Sequence, residues 1–151
     1  MKAATTVACR FAAVFGEKIT TPLPKLTRLS PLPKHIAGVG VDAIARLGII
    51  GARAKSIIAL AQADLAGSVQ LEAGANPETA IAQLVALPGI GPWTAHYIAM
   101  RALRWPDAFP KEDIAVRKSL GGVSAQRAEE RSQAWRPWRS YAVMHLWRLA
   151  F

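Results

Sequence analysis

LPGIGPWTAHYIAMRAL, residues 87–103, decides the fold. Gly89 and Gly91 bracket a single apolar residue and let the backbone turn sharply without a Cβ penalty. Pro92 suits a first helical position, and Ala95, Ile98, Ala99, Ala102 and Leu103 then recur on one side of a helix. Upstream, Asn76 followed by Pro77 is a helix entry, an N-cap side chain and then a proline at N1, and it leads into Ile81, Leu84 and Val85 before Pro88 stops the run. The stretch therefore predicts a helix, a tight hairpin over residues 87–92 and a second helix.

Working outward, Val7, Phe11, Val14 and Phe15 have helical spacing and predict a helix over 3–16. Four prolines between Thr20 and Pro33 remove backbone donors and make that stretch a connector. Helices are expected over 42–47 and 52–65, parted by Gly48 and Gly51, the second carrying an apolar stripe of Ile57, Ile58, Ala61 and Leu65. Beyond the hairpin, 113–120 suits a short helix and 124–149 one or two more around Pro137. No run alternates with period two, so the fold class is all-α. Two small helical lobes flanking a cleft are expected: 1–105, carrying the hairpin, and 106–151, carrying the loop around Asp113.

The composition narrows what such a fold does. Apolar residues make up 52% of 151, too many for a disordered tail, yet no run reaches the eighteen or so apolar residues a membrane span requires. The single cysteine, Cys9, excludes an intrachain disulfide, a zinc site built on cysteines and an iron–sulfur cluster, so a reducing, cytoplasmic setting is expected. Nineteen Lys and Arg against ten Asp and Glu give a formal charge of +9, which favours a polyanionic partner, nucleic acid first.

The glycines of the hairpin leave amide N–H groups pointing outward at the start of the Pro92 helix, where a phosphate is attracted by donors and dipole together. The same pattern also serves as a plain turn between helices. Trp93 and Tyr97, four positions apart, share a helix face and can line a pocket or a core. Phe109-Pro110-Lys111-Glu112-Asp113 forms a short proline-fixed loop. Asp113 at its end is either a carboxylate aimed at a cleft or simply the N-cap of the helix bearing Ile114 and Val116. Lys111, Arg117 and Lys118 flank it and can meet phosphates or stay solvated, as can Arg136 and Arg139. His35, His96 and His145 lack ligand spacing and read as structural or surface residues.

Residues 87–120, LPGIGPWTAHYIAMRALRWPDAFPKEDIAVRKSL, resemble the helix-hairpin-helix, Gly/Pro-rich loop and aspartate signature of the base-excision DNA glycosylase superfamily. Within it, AWRPWRSY (134–141) followed by HLW (145–147) is most similar to the C-terminal segment of the 3-methyladenine DNA glycosylase II family, and the similarity covers nearly the whole chain. The resemblance implies Gly89, Ile90 and Gly91 in a phosphate-binding hairpin, with Lys111 and Arg117 as further DNA contacts. It implies Trp93, Tyr97 and Trp147 around an extruded base and Asp113 as catalytic carboxylate. It implies a monofunctional hydrolase that excises alkylated purines from duplex DNA in base excision repair, working as a monomer near the nucleoid without a required cofactor. A monovalent cation held by the main-chain carbonyls of Val85, Leu87 and Ile90 is a further implication. Where lytic members carry a lysine this chain has Trp93, which argues against Schiff-base chemistry.

Two departures from the family pattern weigh against full activity. Family members have an N-terminal sheet domain and a further helix, and the wedge that fills the gap left by the flipped base would precede Met1. An arginine of the helix after the catalytic aspartate is replaced by Ser119. The alternative expectation is a truncated, inactive helix-hairpin-helix protein that only binds DNA.

Overall fold

The computed structural model describes residues 2–150. Among the described residues the regular elements are all helices, joined by loops, with one isolated antiparallel bridge between Lys18 and Arg28. Two compact units are distinguished: residues 1–69 with 87–89, and residues 70–86 with 90–151.

The first unit contains α1 (Lys2–Phe15), α2 (Pro33–Ile36), α3 (Val41–Ala45) and α4 (Gly51–Leu65). Helices α2 and α3 both pack on α4. Ile36, Ile44, Ala54 and Ala61 form its core, closed by Phe11, Phe15, Ile57 and Ile58. Leu65, expected in the apolar stripe of α4, is exposed instead: it is the last residue of the helix, one turn past Ala61, and the core takes the stripe only through Ala54, Ile57, Ile58 and Ala61. After α1 the chain doubles back at Gly16. A Cβ there would overlap the carbonyl oxygens of Leu29 and Ala12, so only glycine fits, and the Arg28 guanidinium ties the return strand down by donating to the Gly16 carbonyl at 2.8 Å.

The second unit holds α5 (Pro77–Val85), α6 (Pro92–Arg101), α7 (Ile114–Ser119), α8 (Ala125–Ser132), a 3-10 turn (Gln133–Trp135) and α9 (Arg139–Ala150). The expected entry to α5 is present: Asn76 Oδ1 accepts from Thr79 N at 2.9 Å and Pro77 follows. Ser124 caps α8 in the same way, accepting from Arg127 N. Helix α5 packs on α6, and α7 packs on α9 and α8. The core joins Ala99 and Met100 of α6, Ala108 and Phe109 of the loop, Val116 of α7, Ala128 of α8 and Val143 of α9.

This grouping differs from the expected division after residue 105. Pairing of α5 with α6, and of the 105–113 loop with α9, draws residues 70–86 into the C-terminal unit, whereas 87–89 of the hairpin associate with the N-terminal one.

Candidate active site

The candidate site lies in the second unit, on α6, the start of α7 and α9. Spacing of four on α6 places Trp93 above Tyr97, and the rings stack with centroids 5.4 Å apart and planes only 9° from parallel. Trp147 of α9 adds a third ring, 6.1 Å from Tyr97 and tilted by 44°. Trp93 and Tyr97 remain 40% and 37% exposed, a large aromatic area for a domain to leave in solvent, while Trp147 is partly buried. The four-residue spacing thus builds an open aromatic face, not a core.

Asp113 combines the two roles left open by its sequence. Its Oδ1 accepts from Val116 N at 2.8 Å and caps α7. Its Oδ2 accepts from the indole Nε1 of Trp93 at 2.6 Å. The residue is only 7% exposed, and its carboxyl group is fixed at both oxygens beside the aromatic face. A carboxylate offers roughly four lone-pair positions. Two are taken here, and the others remain for a water or a ligand.

At the hairpin the two glycines differ. Gly89 has φ +76°, and a Cβ on it would overlap Ser56 Oγ of α4. Gly91, the N-cap of α6, has φ −88° and ψ 171°, a conformation open to any residue, and a Cβ there would meet nothing within 4 Å. The fold itself therefore requires glycine at 89 and leaves 91 free for close approach from outside. Ile90 between them is buried. No side chain caps α6, so its first amide N–H groups keep their outward-facing donors. Among the described residues no backbone N–H outside the helices donates to the carbonyls of Val85, Leu87 or Ile90.

The flanking cations divide. Lys111 is half-buried; Arg117, also partly buried, spends Nε on the carbonyl of Val123 at 2.8 Å. Arg136 and Arg139, read from sequence as solvated or phosphate-facing, are both paired with Asp107, Arg136 at 2.7 Å and Arg139 through two nitrogens at 2.8 and 2.9 Å. Ser119 donates its hydroxyl to the Leu146 carbonyl at 3.0 Å and so joins α7 to α9. His96 is partly buried, with Nδ1 enclosed and unpartnered. Burial lowers its pKa below the ordinary 6.5, with Arg139 and Lys111 adding to that and Glu112 and Glu129 opposing it. Sequence reasoning missed Asp107 altogether. Its only local signal is an acid in an otherwise apolar stretch, Trp105 to Pro110.

No family model matches the chain. A probable bifunctional transcriptional activator/DNA repair enzyme AlkA of Mycobacterium tuberculosis is 42% identical over 150 residues, 97% of this chain and 30% of that protein. DNA-3-methyladenine glycosylase 2 of Escherichia coli is 32% identical over 144 residues, 95% of this chain and 50% of that protein. The chain thus spans half the length, or less, of these relatives. In fold it is similar to a 3-methyladenine DNA-glycosylase from Archaeoglobus fulgidus, with a TM-score of 0.82 at 22% identity over 99% of this chain and 53% of that one. It is also similar to the Schizosaccharomyces pombe 3-methyladenine DNA glycosylase in complex with abasic DNA, with a TM-score of 0.78 at 21% identity over 97% and 71%. Among the described residues no helix is long and apolar enough to cross a membrane.

Proposed function

We propose that, along the segment it shares with these relatives, the chain belongs to the DNA-3-methyladenine glycosylase II family and is a monofunctional DNA glycosylase hydrolysing the N-glycosidic bond of alkylated purines in duplex DNA. The observation that carries this reading is the bond from Trp93 Nε1 to Asp113 Oδ2, which fixes a buried carboxylate at the edge of an open, three-ring aromatic face.

A base must leave the stack before its glycosidic bond can be attacked, and a cationic, poorly paired alkylated purine is extruded most readily. Its positive ring is attracted to the faces of Trp93, Tyr97 and Trp147. As the bond lengthens, the sugar gains oxocarbenium character. The carboxylate of Asp113 stabilises that charge, and its remaining lone pairs orient and deprotonate the attacking water. Gly91 and the uncapped start of α6 offer donors to a phosphate, with Gly89 and Ile90 shaping the turn, and Lys111 and Arg117 are further cations for the DNA backbone.

Single-turnover base release from a methylated duplex, measured for the parent and for Asp113→Asn with duplex binding in parallel, tests the reading. Release by the parent, lost in a variant that still binds, is the expected result. Salt-sensitive binding without release by the parent would refute it.

A further inference from the structure

Asp113 sits at the end of a loop whose beginning is gripped by the first two residues of α9. The Arg139 guanidinium donates through Nε to Asp107 Oδ1 at 2.8 Å and through Nη2 to Oδ2 at 2.9 Å, with Arg139 only 3% exposed. Ser140 donates its backbone N–H to the Pro106 carbonyl at 2.8 Å, and its Oγ lies 2.8 and 3.1 Å from the carbonyls of Trp105 and Ala108. Two backbone donors at the start of α9 are thus satisfied by the loop, Ser140 N–H by Pro106 and Arg139 N–H by Asp107 Oδ1 at 3.4 Å.

Between this grip and Asp113 there is no slack. Asp107, Ala108, Phe109 and Pro110 are all buried. The Phe109 ring stands edge-on to Trp135 at 6.2 Å and lies 6.0 Å beneath the Arg139 guanidinium. Two turn bonds, Lys111 N to Phe109 O at 3.0 Å and Asp113 N to Pro110 O at 2.9 Å, deliver the chain to the carboxylate.

Stability alone is a poor account of this arrangement. A cation at the first residue of a helix opposes the helix dipole, and a buried ion pair is commonly no more stable than apolar residues of the same volume. What a bidentate guanidinium supplies is a fixed distance and plane. We propose that Arg139 and Ser140 are positioning residues that act through Asp107 and the 105–110 loop to set the Asp113 carboxylate against Trp93. This deepens the glycosylase reading and takes only its kinetic measurement from it.

The experiment records the indole N–H resonances of the full chain, with Trp93 assigned by Trp93→Phe, in the parent, Asp113→Asn, Arg139→Lys and Ser140→Ala. Arg139→Lys keeps the charge but not the fork. The Trp93 resonance is expected to move toward its position in Asp113→Asn, while single-turnover release at saturating duplex falls at least about tenfold and duplex affinity changes by less than about threefold. A Trp93 resonance left in place in folded Arg139→Lys overturns the proposal. If that variant does not fold, the same resonance in Ser140→Ala decides. If the parent releases no base, the glycosylase reading fails, but the indole shift still tests the grip.

Discussion

Replacing Asp113 by asparagine exchanges one of two acceptor oxygens for a donor, in a place where both neighbours are donors. Val116 N–H faces Oδ1 and Trp93 Nε1–H faces Oδ2. Asparagine caps helices as well as aspartate does, so α7 can keep its cap, but the new NH2 group then confronts the indole N–H. Reversing the amide only transfers the conflict to Val116. Either way a charge-assisted bond is lost in a buried place, at a cost of about 1.5–3 kcal/mol. Trp93→Phe removes the donor and leaves one carboxylate oxygen without it, costing about 1–2 kcal/mol. In the double variant the opposed donors no longer meet, so its destabilisation should fall short of the sum of the singles by about 1–2 kcal/mol. Urea unfolding followed by far-UV circular dichroism measures all four proteins without relying on the altered tryptophan. Additivity within about 0.5 kcal/mol would show that carboxylate and indole are not bonded in solution, and the site geometry described above would fall with it.

The two hairpin glycines should separate by assay. Gly89→Ala, forced into positive φ and against Ser56 Oγ, should lower stability by about 1–2 kcal/mol, and Ser56→Ala should recover only the steric part. Gly91→Ala, at an N-cap where alanine is poorer than glycine, should lower stability by no more than about 1 kcal/mol and yet weaken duplex binding in a salt-titrated assay; unchanged binding would remove this glycine from the phosphate contact. Because burial lowers the pKa of His96 below 6.5, the folded chain binds fewer protons there than the unfolded one. Its contribution to stability is therefore complete above that value and declines as the pH falls below it. His96→Gln should flatten the fall in urea midpoint as the pH drops below 6.5, and an identical slope in both proteins would contradict this.

Much of this was legible in the sequence, because the signals were local. The Asn76-Pro77 entry, the Gly89 turn and the Pro92 restart each depend on a few adjacent residues, and each stands where expected. The four-residue spacing of Trp93 and Tyr97 likewise yields a shared face wherever a helix forms. Asp113 was legible as either cap or carboxylate; that it is both depends on an indole twenty positions earlier, which spacing alone does not reveal. Arg139 was read as a surface cation because charge in sequence carries no sign of burial. Its partner Asp107 lies 32 residues away, and only the packing of α9 on the loop brings them together. Leu65 failed in the opposite sense: helical period assigned it to the right face, but it ends α4 one turn past the last core residue, Ala61, and period does not tell where along a helix the covering neighbours stop.

The contrast between the two glycines reaches beyond the test tube. Position 89 is held by the interior of the chain, through its own φ and through Ser56, whereas position 91 answers only to whatever approaches from solvent. In a lineage that stopped meeting DNA while still needing a folded protein, selection would go on purging changes at 89 and fall silent at 91. Diverging copies of this chain would then keep a written record of lost function in one codon while its neighbour two places upstream stayed intact.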